Sequence, residues 1–399
     1  MTDSVRLKWL LAESDVRARA EAASLPLLSV SISWGVRRRE VSDVTTRAAS
    51  EDLSNYKLCR SGDLVINRMR AFQGALGIAP EDGIVSPDYA VLRVARTVEK
   101  RWLHYFLTSG YAVAIMSSLV RGIGGTEAGN VRTPRLNISD LHSMTVPLLS
   151  ASEQRAIADY LDRETARIDT LVGEQQRLIE MLRERRAAVL SEAFDAGLST
   201  EATKVGRLLA ARPSYGVLVP SYVDEADGVP FVRAGDLLNL SPNRPMIAIS
   251  PKQSDEYSRT KLVGGEVLLG VVGKMGQATL APQWLAGANV ARAVAVLRCK
   301  DPATAPLLCA WLGSSHFLHQ AELATSGDSI QATLGMKDLA RFNINLPTAP
   351  DAAAGLSLTL KKIDTLISEA ERLIELARER RASLITAAVT GQIDVREMA

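Results

Sequence analysis

The residues that could do chemistry come first. His316 and His319 stand three apart with Cys309 upstream, a spacing that suggests zinc. A single His-x-x-His with one cysteine is more often ordinary helix surface than a ligand set. The run GVVGKMG (270–276) has the glycines and lysine of a phosphate-binding loop. Met275 stands where the magnesium-binding Ser or Thr belongs, and the leading glycine is at the wrong spacing. Pro87-Asp88 would open a magnesium-dependent nuclease motif, but no Asp/Glu-x-Lys continues it. Neither a glycine-rich cofactor loop nor an Asn/Asp-Pro-Pro-aromatic motif is present for a methyltransferase. The four histidines have no neighbouring signal of a Ser/His/Asp arrangement. None of these residue patterns completes the motif of an enzyme that acts by itself.

The elements around them tell more. At 399 residues, 47% apolar and 23% charged, the chain is long enough for two ordinary domains of a globular protein. It contains no apolar run of 18 residues, so no membrane span is expected. Its start is wrong for a signal peptide. Three cysteines do not make a disulfide framework and lead to the expectation of a cytoplasmic protein. Net charge is +4 in residues 1–149 and +2 in 199–350, against −3 in 150–198 and −1 in 351–399. Basic blocks that meet an anion and acidic segments that meet protein would give this pattern.

The acidic segments are copies of each other. Residues 168–187 (IDTLVGEQQRLIEMLRERRA) and 363–382 (IDTLISEAERLIELARERRA) share 14 of 20 residues. Both lack Pro and are rich in helix formers. Ser150-x-x-Glu153 after Pro147 predicts a capping box at the start of the first helix. An apolar stripe follows at Ile157, Leu161, Ile168, Leu171, Leu178, Leu182 and Val189. In the second copy it comprises Ile363, Leu366, Leu373 and Leu384, with Ala370 and Ala377 between. A helix from Glu153 to Phe194 would extend ~60 Å and one from Leu356 to Val389 ~50 Å. The first leads from one block to the other and the second must run back, so the expected pair is antiparallel, with an approximate two-fold relation between the halves.

The blocks repeat more faintly. RSGDLVINRMRAFQGALGIAPEDGIVSPDYAVLRV (60–94) matches VGGEVLLGVVGKMGQATLAPQWLAGANVARAVAVLR (263–298) in its Gly-acid start, Ala-Pro and terminal Ala-Val-Leu-Arg. WLHYFLTS (102–109) matches LLCAWLGS (307–314). The expected class is α+β: two globular blocks of mixed β-sheet with short helices, separated by a long antiparallel two-helix coiled coil, as a pseudo-two-fold internal repeat. The boundaries read 1–149, 150–198, 199–350 and 351–399.

The stretch GDLVINRMRAFQGALG…GIVSPDYAVLR, followed by VPLLSASEQRAIADYLDRETARIDTLV, resembles the specificity subunit of type I restriction-modification systems. The resemblance covers essentially the whole chain. Its most specific part is Pro147, Glu153, Gln154, Ile157, Ala158, Tyr160, Leu161 and Asp162 with the following IDTL. The second helix departs from the pattern: after Pro347 the chain reads TAPDAAAGLSLTLKKIDTLI, without Glu-Gln.

The resemblance implies a non-catalytic DNA reader in which each globular block is a target-recognition domain for half of a bipartite site. The helices would set the spacing and bind two methyltransferase subunits. The implied partners are double-stranded DNA, two methyltransferase subunits and, where a nuclease joins, restriction subunits, with no membrane. This chain itself would bind no cofactor or metal; S-adenosylmethionine, and ATP with magnesium for a nuclease, would belong to the partners. Base edges are read chiefly by Arg or Lys on guanine and Asn or Gln on adenine, among phosphate contacts that position the protein. In the first block the candidates are Arg37, Arg38, Arg39, Asn67, Arg68, Arg70, Gln73, Ser86, Tyr89, Arg121, Arg132 and Arg135. In the second they are Tyr215, Arg233, Lys274, Gln277, Asn289, Arg292, Ser326, Gln331 and Lys337. Asn67 and Asn289 have an alternative use in loop geometry. The subunit-interface candidates are Gln154, Tyr160, Arg183, Arg185, Arg186, Arg378, Arg380 and Arg381. The alternative reading is a coiled-coil DNA-binding adaptor or scaffold of another defence or regulatory complex.

Overall fold

The computed structural model describes residues 4–39, 53–120, 134–195, 200–273, 275–325, 333–349 and 351–395. By packing, the chain falls into two compact units, residues 1–174 with 373–399 and residues 175–372. The fold is α+β, with sheet-rich domains and two long helices packed antiparallel.

In the first unit, strands Leu11–Ser14, Tyr89–Val94, Leu64–Asn67 and Leu76–Ile78 form an antiparallel sheet in that spatial order. A hairpin, Leu28–Ser31 with Gly35–Arg38, and the pair Lys57–Cys59 with Gly83–Val85 lie beside it. Strand Ser4–Arg6 pairs antiparallel with Thr145–Pro147, bringing the chain's start to the threshold of the long helix. The core gathers Leu64, Ile66, Trp102 and Phe106 from the domain. It also takes Ile157, Ala158 and Leu161 from one long helix and Ile385, Ala388 and Val389 from the other.

In the second unit, Ser214–Tyr215, Val294–Leu297, Val267–Gly270 and Ala278–Leu280 make the corresponding sheet. A second sheet orders Tyr222–Val223, Ala248–Ile249, Val229–Val232 and Asn289–Val290, with the last pair parallel. Thr200–Lys204 pairs with Asn343–Pro347 as Ser4–Arg6 does with Thr145–Pro147. The faint repeat has a physical basis at its Gly-acid turn. Asp63 accepts from the Arg60 amide, and Glu266 accepts from the Val263 and Gly264 amides, each just after a glycine with positive φ (Gly62, 88°; Gly265, 87°). Only glycine adopts that conformation without strain, which is why the pair persists where surrounding residues differ.

The first long helix spans Ala151–Phe194, with the expected capping box: the Ser150 amide donates to Glu153 Oε2 (2.9 Å) and the Glu153 amide to Ser150 Oγ (3.2 Å). Asp162 anchors it to the domain by accepting from Tyr105 Oη (2.8 Å) and Arg101 (2.6 Å). The second spans Ala352–Val389 and starts four residues before the expected Leu356. Where the first helix has Tyr160, the second has Gly355, with nothing within 4 Å of a Cβ built there.

The helix contact face differs from the expected stripe. Of that stripe Ile157, Leu161, Leu182, Ile363, Ala370 and Ala377 are buried, but Leu171, Leu366 and Leu373 are exposed, and Ile179 and Ile374, which lie outside it, are buried. Ile179 and Ile374 lie roughly 80° around each helix from Leu171 and Leu366 at ~100° per residue. Apolar spacing alone carried the stripe past the buried face onto its flank. Acid and base at its border set the phase. Arg381 donates to both carboxylate oxygens of Asp169 (2.9 and 3.3 Å), and Arg186 to Asp364 (2.8 Å). The two pairs occupy equivalent positions, one in each unit. Such exposed pairs contribute little stability, typically ~0–1 kcal/mol, so we assign them to register.

Gly173 and Gly355 are helix-interior glycines with open space at the Cβ position. Replacing either with Ala is expected to stabilise the protein by up to about 1 kcal/mol, the propensity difference. Thermal melts should shift upward by a few degrees. An unchanged or lower midpoint would show that the glycine has another role.

Candidate nucleic-acid interface

In the first unit the loop after strand Leu64–Asn67 is built for exposure. Asn67 Oδ1 accepts from the Met69 amide (3.2 Å), the Arg70 amide donates to Asn67 O, and the Ala75 amide donates to Arg70 O. Gly74, at φ 90°, closes the short 3-10 turn Ala71–Gln73. Met69, Arg70 and Gln73 therefore face solvent, while Asn67 spends its acceptor on the turn, the loop-geometry use set out above. Arg68 is half-buried; its Nε donates to Leu136 O (3.2 Å) and its carbonyl accepts from the Leu136 amide. Burial, and then the neighbouring Arg135 charge, lowers the Arg68 pKa from its ordinary value. The structure thus brings Arg68 and Arg135 together across a wide gap in sequence.

Ser86 and Tyr89 join the same end of the sheet. Tyr89 lies opposite Asn67 in the strand register, and the Tyr89 amide donates to Ser86 O. Burial raises the Tyr89 pKa, and the charge of nearby Arg39 opposes the shift. Arg37 stacks on Trp34, with its guanidinium carbon 4.3 Å from the ring centroid. Arg38 donates from Nε to Glu81 Oε1 (2.6 Å) and from Nη2 to Oε2, so one edge of its guanidinium is already occupied. Arg121 and Arg132 lie outside the described residues.

In the second unit Tyr215 and Arg292 line one groove. Tyr215 Oη donates to Leu334 O (2.7 Å), leaving its ring as the available surface. Lys337 is exposed beside Met336, which lines the same groove. Arg233 is held by Asp236, its Nε at 3.1 Å, and that contact raises its pKa. Gln277 is half-buried and lines a different groove, near Arg183 and Asp364.

Asn289 is placed in the interior, not on a surface. It is 0% exposed, accepts from Thr260 Oγ1 (2.7 Å) and the Val290 amide (2.9 Å), and donates to Ser254 O, Ser254 Oγ and Tyr257 O. No polar capacity remains for a base edge, and the loop-geometry alternative describes it. Lys274, Ser326 and Gln331 lie outside the described residues. Sequence reasoning passed over Tyr257 and Arg259, which share the groove of Tyr215 and Arg292. Only folding brings the 256–260 segment beside the strand ends, and no motif marked it.

The subunit-interface candidates divide. Gln154 is buried, accepting from the Glu99 amide (2.8 Å) and donating to Leu149 O (2.9 Å), so it ties helix to domain. Tyr160 packs against the first core, with Arg163 over its ring. Arg183, Arg186 and Arg381 reach Glu371, Asp364 and Asp169 in their own units. Arg185, Arg378 and Arg380 are exposed and make no ion pair among the described residues.

The chemistry-bearing residues remain scattered. Burial pushes the thiols of Cys59 and Cys309 up to about 12 and that of Cys299 up to about 11, which leaves them protonated and weak as nucleophiles or ligands. His316 faces Asp195 at 3.0 Å, and no group of three candidate metal ligands exists among the described residues. Among those residues no helix is long and apolar enough to cross a membrane.

Sheet-rich domains, each sharing its core with two long antiparallel helices, define the fold class of the type I restriction-modification specificity subunits. Comparison with known proteins shows the same relation. The chain is 24% identical over 312 residues to the type I restriction enzyme EcoBI specificity subunit of Escherichia coli. That match covers 72% of this chain and 63% of the relative, less than two thirds of its length. A chain solved in work on complex assembly and conformational transition of the type I R-M system matches with TM-score 0.71 and 19% identity, over 98% of both chains. The HsdS subunit from Thermoanaerobacter tengcongensis matches with TM-score 0.54 and 18% identity, over 98% of this chain and 97% of that one. No known family profile matches the chain. The resemblance read from the sequence is therefore shown, and it is to a non-catalytic family.

Proposed function

We propose that the chain is the DNA sequence-specificity subunit of a type I restriction-modification complex. Residues 1–149 and 199–350 each read one half of a bipartite target. The helical segments 150–198 and 351–399 set the half-site spacing and dock two methyltransferase subunits. Restriction subunits join where the system has a nuclease. S-adenosylmethionine is used by the methyltransferase subunits, and ATP with magnesium by the nuclease; this chain holds neither.

The observation that carries the reading is a duplicated helix surface beside domains that differ. One unit exposes Leu171, Leu373 and Leu376 on its helices. The other carries the same positions shifted by 195 residues: Leu366 and Met181 exposed, with Leu178 half-buried. Matching patches suit two copies of one partner, and an exposed apolar surface marks an interaction site. The basic loops of the two domains have no such identity, as two different half-sites require.

A methylation map of the host genome with and without the chain tests the function. A bipartite adenine motif should lose methylation in its absence, and exchanging residues 1–149 should alter one half of the motif only. An unchanged map, with the methyltransferase expressed, would refute the proposal. Docking is tested separately. Met181→Asp with Leu366→Asp is expected to lower the methyltransferase stoichiometry from two to one, read by native mass spectrometry. Retention of both subunits would place docking elsewhere.

A further inference from the structure

The second sheet-rich domain carries an unusual loop, Val217-Leu-Val-Pro-Ser-Tyr-Val223. Leu218, Val219 and Tyr222 are 54%, 74% and 59% exposed. An apolar loop in water ordinarily folds back on the protein, but this one is braced in place. The Gln253 side-chain amide acts as a neighbouring strand: Nε2 donates to Val219 O (2.8 Å) and Oε1 accepts from the Ser221 amide (2.7 Å). The Ser250 amide donates to Ser221 O (3.0 Å). At the loop's base the Val217 amide donates to Val290 O (2.8 Å), and Val217 O accepts from the Arg292 amide (2.9 Å). Gly216 permits that approach, since a Cβ there would lie 1.8 Å from Val290 O.

Beside the loop runs a groove of 770 Å³, whose lining includes Leu218, Tyr215, Tyr257, Arg259 and Arg292, with Glu256 also on its wall. Arg259 and Arg292 are exposed and make no ion pair among the described residues. The Tyr257–Thr260 wall is fixed from behind. Asn289 holds Thr260 and the Tyr257 carbonyl, and Arg298 donates to the carbonyls of Arg259 and Lys261 while meeting Glu266 at 3.4 Å. A stiff apolar tip next to two uncommitted guanidinium groups complements duplex DNA, with cations for the phosphates and a wedge for the stacked bases.

We propose that the Leu218–Val219 tip is an apolar wedge that presses into a base step of the half-site, while Arg259 and Arg292 hold the flanking phosphates. The proposal rests on the DNA-reading function above and adds a mode of recognition to it. A wedge favours steps that unstack easily, so this domain selects sequence by deformability as well as by hydrogen bonds to base edges.

The test uses the full chain assembled with its methyltransferase subunits, on its target duplex with 2-aminopurine placed at successive positions of each half-site. The wild-type complex should raise the fluorescence at one step. Leu218→Ser with Val219→Ser should abolish that rise and weaken binding roughly tenfold, with the salt dependence unchanged. Arg259→Ala with Arg292→Ala should keep the rise but reduce the slope of log affinity against log salt by about 1.8, the value for two phosphates. All four side chains are exposed, so melting temperatures should stay at the wild-type value. Tight site-specific binding without a fluorescent step overturns the wedge alone. So does a serine variant that loses the methyltransferase subunits, because the tip is then a protein contact. A wild-type complex with no site-specific binding overturns the DNA-reading function itself.

Discussion

A chain ending at Arg372 is expected to lose the fold of its first sheet-rich domain although every residue of that domain is still present. Residues 373–395 close the core of the first unit from far along the sequence. Ile385, Ala388, Val389 and Val395 are buried there among Leu64, Trp102, Phe106 and Leu107. Gly391, at φ 74°, turns the chain out of the helix so that Val395 can return to the core. Burying a Val or Ile side chain stabilises by about 1.5–3 kcal/mol, so Ile385, Val389 and Val395 together contribute on the order of 5–8 kcal/mol. A domain's whole stability is about 5–15 kcal/mol. Truncation also leaves Asp169 without Arg381. Hydrogen exchange should show that Leu64–Asn67 and Lys100–Thr108 lose protection while Val267–Gly270 and Val294–Leu297 keep it. Full protection of the first set would mean that the domain folds without the carboxy-terminal helix, contrary to the shared core.

The helices were legible because their signals are local. The Ser150–Glu153 box is a contact between residues three apart, and it forms as its spacing predicts. Repetition was legible because duplicated sequence needs no structure to be seen. The rotational phase of the contact face was not, because apolar residues occur on more than one side of each helix. Leu171, Leu178 and Met181 form one outward set, while Leu161, Ile179 and Leu190 form the inward one. Only the burial of partners distant in sequence separates them. Ala370 and Ala377 do fall in the contact, as small residues at a close approach should.

The candidate site was legible in kind and less so in detail. Residue type identifies Arg, Asn and Gln as possible readers but does not say which have already been committed to the fold. Gln154 and Asn289 spend their side-chain amides on partners within the fold, and Arg38 turns Nε and Nη2 to Glu81. Arg70, Gln73 and Arg292 do face outward. The Tyr257–Arg259 wall carries no signature because its position depends on long-range hydrogen bonds from Asn289 and Arg298, which sequence spacing does not reveal.

Asn289→Ala should separate a structural asparagine from one that reads adenine. The side chain joins Ser254, Tyr257, Thr260 and Val290 in one buried network. Removing it leaves a hydroxyl, an amide and carbonyl groups without that partner, in a place where each unmet group costs about 1–3 kcal/mol. Relaxation and entering water recover part of the loss, so the expected destabilisation is about 3 kcal/mol, or roughly 6–12 °C for a unit of this size. Asn289→Asp should destabilise as well, since the position requires donation to Ser254 and Tyr257 that a carboxylate cannot supply. The Tyr257–Thr260 wall would loosen in both variants. DNA affinity would then fall by a similar factor on target and non-target duplexes, leaving the preferred sequence unchanged. A wild-type melting temperature with an altered methylation motif would give the opposite assignment: Asn289 leaves its network in the complex and reads a base.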